Sequence, residues 1–377
     1  MMEVAIQFER KPLLFSGPDF VISCPGSSSL DSCFEEMERA VSAGYFLAGF
    51  FSYEAGYSFE DKLRRNRQGH DFPLLCFGAY KNAQRRSLVA PPDRGSVPEN
   101  IRLNISYGQY ASNIDTIRGY IARGEVYQIT YCIKLLFEFA GDPVSLYKRL
   151  LAAQPVPYPS YIRSGMFDIL SFSPELFIKK DGGHVTTKPM KGTWPRGKGA
   201  LPGMISSLRL KYDPKNRAEN VMIADLLRND LGRFGSLVRA PVLFEVARYN
   251  TLCQMTSTVK ARVDRDMEFR RFFTALFPSG SVTGAPKIRA MEIIRELEKE
   301  ERRIYTGAIG YITPQRDMFF NIPIRTLLIK GGRGEMGIGG GIVWDSTAEG
   351  EWKEGLLKAR FLTDLAKISG ACKNDWL

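Results

Sequence analysis

Residues 171–197 are the stretch that most limits what this chain can fold into. Leu176-Phe177-Ile178 is an apolar run of strand character, and Asp181-Gly182-Gly183 is a turn signal. His184 to Thr187 is rich in β-branched residues. The pattern reads strand, turn, strand: a β-hairpin, which only an antiparallel sheet accommodates. Its two ends carry a carboxyl, Glu175, and an amine, Lys191. Closing the hairpin folds those ends back beside each other. Lys191 lies between Met190 and Gly192, a place where an ammonium can be desolvated and its pKa lowered, as a nucleophilic lysine requires. On this segment alone, a surface hairpin with a solvated lysine is the more ordinary reading.

The rest of the chain repeats the alternation without a strict βαβ rhythm. Short strands broken by Pro12, Gly17-Pro18 and Pro25 lead into a helix over Leu30 to Ser42, with Ser29 or Asp31 as N-cap. Strands are expected over 44–53 and 72–80, then a turn-rich loop over 83–100 and a helix over 111–123. A strand begins near Val126, helices cover 143–153 and 213–227, and Asp213-Pro214 is the start signal of the latter. Residues 241–263 alternate as strands, and a helix over 267–277 precedes the Gly/Pro-rich loop 278–287. A strong helix over 288–300, strands over 304–313, 318–330 and 336–343, and a last helix over 349–368 complete the chain. Strands and helices mixed in this way predict an α+β fold with a large, mostly antiparallel sheet.

At 377 residues the chain can bury a large core. It has no apolar run of about 18 residues, hence no expected membrane span, and no long apolar segment near its first residues that reads as a secretory signal. Six scattered cysteines without a Cys-x-x-Cys pair argue against a zinc site and suit free thiols in a reducing cytoplasm. With two histidines, His70 and His184, the chemistry must rest on carboxylates, lysines and backbone. A net charge of +11 fits either nucleic-acid binding or a cationic pocket for an acidic metabolite. The basic residues are spread, and the dense run Lys62 to Arg67 lacks interleaved aromatics, which disfavours nucleic acid.

Several residues stand out chemically. In the last helix Glu351, Glu354, Lys358, Phe361, Leu362 and Leu365 share one stripe, and in the 213–227 helix Glu219 borders Met222, Ile223 and Leu226. Carboxylates bordering a buried stripe need partners or a cation. Two or three of them with water and a substrate oxygen suit Mg²⁺, although ordinary i,i+4 pairs such as Glu354 with Lys358 suit them too. The loop 278–287 lacks P-loop spacing, and its glycines and Thr283 can line a pocket with backbone donors. Gly339-Gly340-Gly341 allows a substrate close to the backbone. Arg325, expected on an apolar strand, wants a carboxylate, from a substrate or from the protein.

Taken together, these segments resemble the chorismate-utilising enzymes. The matching motifs run from about residue 105 to 368: Gly124-Glu-Val-Tyr-Gln128, Ser173-Pro-Glu175, Pro189-Met-Lys-Gly-Thr193, Asn216 to Asn220 through Asp225 to Asp230, and Phe277 to Lys287. Ile309-Gly-Tyr311, Ile324-Arg-Thr326, Gly339 to Val343 and Glu354 to Lys358 follow. Ser52 to Tyr57 matches within a shortened variable part, residues 1–100. The resemblance implies one chorismate-utilising domain over 1–377, with its catalytic part at 105–370, and a two-sheet sandwich with the site in a cleft. It implies Mg²⁺ at Glu219 and Glu354 with Glu351 beside them. Substrate would be held by Tyr305, Arg325, Lys358, Gly339, Gly340, Gly341, Gln128, Thr193 and Thr283. Glu175 would be the general acid for departure of the C4 hydroxyl.

Two positions distinguish members of the family. Isochorismate and salicylate synthases activate water with a lysine where this chain has Gln128. Anthranilate synthases carry alanine where this chain has Lys191, and a lysine there marks aminodeoxychorismate synthases. The implied reaction is therefore amination of chorismate to 4-amino-4-deoxychorismate through a covalent Lys191 intermediate, toward 4-aminobenzoate and folate. Ammonia would come from solution or from a separate glutamine amidotransferase subunit. Anthranilate formation is the rival within the family; a non-catalytic homologue or a nucleic-acid binder is the rival outside it. One departure stands out: Gln254 occupies a position where many members carry histidine.

Overall fold

The computed structural model describes residues 2–64, 70–89, 95–195, 199–248 and 252–368. Parts of the loops expected at 62–71 and 83–100, together with Arg196-Gly197, Cys372 and the side chain of Thr193, lie outside the described residues.

In chain order the elements are β1 (Glu3–Phe8), β2 (Lys11–Ser16), β3 (Phe20–Cys24), α1 (Leu30–Ser42), β4 (Phe46–Phe51), β5 (Leu75–Tyr80), β6 (Glu99–Leu103), α2 (Tyr107–Ala122), β7 (Gln128–Glu138) and α3 (Pro143–Ala153). Then come β8 (Tyr158–Arg163), β9 (Asp168–Ser173), β10 (Leu176–Asp181), β11 (His184–Lys188), β12 (Met190–Pro195), α4 (Ala200–Tyr212), α5 (Pro214–Gly232), β13 (Ser236–Arg248) and β14 (Leu252–Arg262). The last third holds α6 (Phe269–Leu276), β15 (Gly284–Ala285), α7 (Lys287–Leu297), β16 (Ala308–Ile312), β17 (Met318–Asn321), β18 (Thr326–Lys330), β19 (Arg333–Ile342) and α8 (Ala348–Ile368).

Local signals account for many boundaries. Asp142 and Asp213 cap α3 and α5, each accepting from a backbone N–H three residues on, and each is followed by a proline whose missing N–H costs nothing there. Ser106 caps α2 in the same way. Ser29 occupies the N-cap of α1, but its hydroxyl donates back to Gly26 O instead. The hairpin β10–β11 closes at Gly182, whose φ is +54°, a conformation that glycine adopts without steric penalty.

Nine strands form one sheet, in the order β15-β7-β19-β18-β9-β8-β1-β2 with β6 on β7. Ten form the other, β12-β14-β11-β10-β17-β16-β4-β5-β3 with β13 on β14. Every strand pair among the described residues is antiparallel. The inner faces meet in an aromatic layer, where Phe8 of β1 packs edge-on to Phe319 of β17 at 4.9 Å. The outer face of the first sheet is covered by α2, α3, α7 and α8, that of the second by α1, α5 and α6. Alternation along β1 shows the consequence: Val4, Ile6 and Phe8 enter the inner layer while Ala5 joins the outer one. The α+β sandwich expected from the sequence is what forms.

Two details differ from the sequence reading and matter for the site. The expected strand 318–330 is two strands, β17 in the second sheet and β18 in the first, separated by Ile322 to Arg325 with Pro323 between. Arg325 is therefore not a strand residue; it sits on a passage between sheets, with a φ of +51°. Ser173-Pro174-Glu175 makes the matching passage from β9 to β10. The two passages run side by side: Ile322 N–H donates to Glu175 O at 3.1 Å, Phe172 N–H to Arg325 O at 3.1 Å, and Ser173 Oγ to Ile322 O at 2.6 Å. Helix α4 was not expected at all. Pro202 and Gly203 lie in its first turns, and apart from the buried Leu210 its large apolar residues are exposed.

Candidate active site

The hairpin brings its ends together as the sequence required. Glu175, 3 % exposed, sits where the chain leaves the first sheet, and its Oε1 accepts from Met190 N–H at 3.4 Å, the residue before Lys191. Ser281 Oγ, from the loop before α7, donates to the same oxygen at 2.7 Å. Burial pushes the Glu175 carboxyl up to about 7, while the Ser281 hydroxyl, the Lys191 charge and the Met190 N–H pull it back. The result is a carboxylic acid that can hold or release its proton near neutrality.

Lys191 lies in a register shift of β12 against β14, between Met190↔Thr256 and Thr193↔Gln254. A bulge of this kind re-aims a side chain. Helix α5 holds it: Asn220 Nδ2 donates to Lys191 O and to Met255 O, each at 3.5 Å, and Asn220 Oδ1 accepts from Ser257 Oγ. Gly192, with φ +94°, leaves room for Asn216, whose Oδ1 would lie 2.8 Å from any Cβ there. Burial lowers the pKa of the Lys191 amine, with Glu219 and Glu175 acting in the opposite direction.

Across from Lys191 lies β19. A Cβ at Gly341 would sit 2.7 Å from Gln128 Nε2 and 2.9 Å from Lys191 Nζ. The lysine and Gln128, the first residue of β7, thus converge over a backbone stripped of its side chain. Gln128 is 1 % exposed, and neither its Nε2 nor its Oε1 has a hydrogen-bond partner among the described residues. Unpaired buried amides are costly, and these two point to a ligand at this place. Gln254 Oε1 is likewise buried without a partner.

A Cβ at Gly340 would meet Glu351 Oε2 at 3.1 Å, Lys358 Nζ at 3.5 Å and Glu354 Oε1 at 3.8 Å, all from α8. Lys358 pairs with Glu354 at 2.8 Å and donates to Gly339 O at 2.7 Å. Lys358 holds the Glu354 carboxyl below its ordinary value. Burial raises that of Glu351, whose Oε1 accepts from Ser346 Oγ at 2.7 Å, and Glu354 raises it further. Glu219, on α5, is raised by burial, countered first by Lys191, and feels the charge of Glu354. Among the described residues no three of His, Cys, Asp or Glu are gathered tightly enough to hold a metal unaided. Magnesium does not need that: it keeps its waters and binds through one or two carboxylates plus ligand oxygens. Glu351 and Glu354 around the bare Gly340 backbone, with Glu219 near enough to feel the Glu354 charge, fit such an ion.

The other expected site residues lie further away or are already engaged. Gly339 is small for packing: a Cβ there would lie 2.2 Å from Tyr131 O. Tyr305 packs its ring on Gly337, four residues before Gly341, and burial beside Cys132 pushes its hydroxyl far up. Thr283 is fully buried; its hydroxyl donates to Ser279 O at 3.0 Å and its carbonyl accepts from Thr130 N–H at 2.7 Å. Arg325 is 9 % exposed, on the passage beside Glu175. Ser281, Asn216 and Asn220 were not singled out from the sequence, although the motifs at 216–220 and 277–287 contain them.

Comparison with known proteins points to one family. A family model described as chorismate binding enzyme matches residues 26–364. The chain is 38% identical over 332 residues to aminodeoxychorismate synthase component 1 of Klebsiella aerogenes, covering 81% of this chain and 74% of that one. It is 36% identical over 289 residues to anthranilate synthase component 1 of Streptomyces coelicolor, covering 76% of this chain and 56% of that one. The crystal structure of anthranilate synthase component I from Streptococcus pneumoniae superposes with a TM-score of 0.81 at 26% identity, over 96% of this chain and 92% of that one.

Proposed function

This chain belongs to the chorismate binding enzymes, and from that premise we propose that it aminates chorismate at C4, making 4-amino-4-deoxychorismate through a covalent bond to Lys191. The observation that carries this reading is the amine itself: Lys191 Nζ, its pKa lowered by burial, over the bare Gly341 backbone beside Gln128.

The neutral amine attacks C2 of the ring. Both conjugated ring double bonds shift, the C4–O bond breaks, and Glu175 gives its proton to the departing hydroxyl, which leaves as water. Ammonia then forms a bond at C4, both double bonds shift back, and the C2–N bond breaks to return the lysine. The proton lost by the incoming ammonia restores Glu175. Gln128 presents an amide where a lysine would be needed to activate water, so ammonia rather than water is the nucleophile. Arg325, Lys358, Tyr305, the Gly339 to Gly341 backbone, Thr193 and Thr283 are the residues assigned to orienting the substrate carboxylates. Glu219, Glu351 and Glu354 would hold Mg²⁺, which when bound neutralises and fixes a carboxylate.

We take the whole chain as one catalytic unit and the ammonia as supplied by a separate glutamine amidotransferase subunit, in the cytoplasm. No helix among the described residues is long and apolar enough to cross a membrane. The test is mass spectrometry of products from chorismate, Mg²⁺ and ammonium, with and without an aminodeoxychorismate lyase. Aminodeoxychorismate, converted to 4-aminobenzoate when the lyase is added, is the expected product, and Lys191→Ala should abolish it. Anthranilate as the product, or full turnover by Lys191→Ala, would overturn the reading.

A further inference from the structure

Arg302, on the segment between α7 and β16, is 2 % exposed. Burying a guanidinium is expensive unless its donors all find partners. Here they do. Nε donates to Glu298 Oε2 at 2.8 Å. Nη2 donates to Glu298 Oε1 and to Thr130 O, the latter at 2.6 Å. Nη1 donates to Val282 O at 2.8 Å and to Thr306 Oγ1 at 3.2 Å. These bonds use every N–H of the fork. The Tyr53 ring lies under the guanidinium at 4.3 Å, and the backbone N–H of Arg302 donates to Glu54 Oε1 at 2.8 Å. With its donors all spent on protein, Arg302 has none left for a substrate.

What it grips ties it to the chemistry. Thr130 is two residues from Gln128 on β7, and Val282 follows Ser281, whose hydroxyl donates to Glu175. Glu298 extends the grip along β7, since its Oε1 also accepts from Cys132 N–H at 2.9 Å. Thr306 extends it to the opposite wall. Its N–H donates to Pro323 O at 3.0 Å, in the passage that holds Arg325 beside Glu175. Thr306 has a φ of +61°, a conformation that a β-branched residue rarely takes, and the bonds to Arg302 and Pro323 hold it there. One side chain therefore fixes the loop with Ser281, the strand with Gln128 and the turn beside Arg325 against one another.

A lysine can supply the charge but not the fork. Its donors sit on one nitrogen, so it cannot bridge Val282 O and Thr130 O while holding both oxygens of Glu298. Besides burial, the groups that act on Arg302 are Cys132, Glu298 and Tyr53. Those that act on Glu175, besides burial, are Ser281, Lys191 and the Met190 N–H. Arg302 thus has no direct hold on the Glu175 charge, and any influence on it runs through the position of Ser281.

We propose that Arg302 is a positioning residue of this site: its guanidinium clamps the Ser281 loop to β7, so that Ser281 reaches Glu175 while Gln128 stays beside Gly341. This rests on Glu175 as the acid in the reading above. The experiment follows kcat/KM for chorismate against pH, with Mg²⁺ and ammonium. It compares the native chain with Arg302→Lys, Ser281→Ala, the double variant, and Phe34→Leu, a core truncation on α1. Thermal melts rank their stability. Arg302→Lys should lower kcat roughly ten- to a hundredfold and move the alkaline limb upward, by no more than Ser281→Ala does. In the double variant the limb should move no further, because the bond through which Arg302 acts is already gone. Phe34→Leu should lower Tm and leave the limb in place. Glu298→Gln keeps the shape and weakens the clamp. It should give the same Ser281-dependent shift, and it carries the test where Arg302→Lys does not fold. A limb moved by Ser281→Ala but by neither clamp variant overturns the positioning role and leaves the acid standing. A shift from Arg302→Lys that is as large in the Ser281→Ala background as in the native chain overturns it too, since the arginine would then act on Glu175 directly. So does a limb moved equally by Phe34→Leu, which would mean general loosening. A limb that Ser281→Ala leaves in place overturns Glu175 as the acid, and the role of Arg302 with it.

Discussion

Replacing Ser281 with alanine removes one hydroxyl and one hydrogen bond, the 2.7 Å donation to Glu175 Oε1. That bond favours the ionised carboxylate, so its loss raises the Glu175 pKa above the native value of about 7. A hydrogen bond to a charged group contributes roughly 1.5–3 kcal/mol, and about 1.36 kcal/mol corresponds to one pKa unit. The expected rise is therefore roughly one to two units. Glu175 must be protonated to act as an acid. The alkaline limb of kcat/KM against pH, governed by Glu175 in the native chain, should move upward by that amount. Stability follows the same sign. The folded pKa lies above the ordinary carboxyl value of 4.5, so Glu175 contributes stability below about 4.5 and loses it as pH rises through about 7. Ser281→Ala should then lower Tm more above pH 7, where the carboxylate has lost its donor, than below it. The assay is ammonium-driven turnover of chorismate across pH, with thermal melts on both sides of neutrality. An alkaline limb that stays in place, or moves to lower pH, would refute the assignment of the acid to Glu175 and of its tuning to Ser281.

Three further outcomes are expected. Gln128→Met keeps the shape and removes two buried amide atoms without partners, so Tm should rise while ammonium-driven turnover falls; a lower Tm with turnover intact would mean those atoms are satisfied and do not meet substrate. Gly341→Ala places a methyl 2.7 Å from Gln128 Nε2 and 2.9 Å from Lys191 Nζ. Both are ends of flexible side chains, so the fold should survive, but turnover should fall roughly a hundredfold from a misplaced nucleophile; unchanged turnover would move the reacting amine elsewhere. Glu354→Ala should raise the Mg²⁺ concentration for half-maximal turnover roughly tenfold or more, and an unaltered Mg²⁺ titration would remove Glu354 from the ion's site.

Much of the fold was legible in the sequence because its signals are local. Asp142-Pro143 and Asp213-Pro214 start helices through the bonds their own side chains make. The turn at Gly182 closes a hairpin whose ends had to carry Glu175 and Lys191 to one place. The absence of a βαβ rhythm already required antiparallel sheets. What the tertiary structure alone decided depends on partners distant in the chain. Arg325 reads as a strand residue, but the Pro323 passage carries it from one sheet to the other beside Glu175, because β17 and β18 pair with different neighbours. The three glycines at 339–341 look alike in sequence. Gly339 is small because the Tyr131 carbonyl lies against it, whereas Gly340 and Gly341 leave open the space that Glu351, Lys358, Gln128 and Lys191 enter. Helix α4 was not expected, with Pro202 and Gly203 in its first turns, and only the packing of its small residues on the sheet reveals which face is which. A cap or a turn acts over three or four bonds along the chain, whereas a site is set by which strands become neighbours, and that pairing depends on the burial of the whole sandwich.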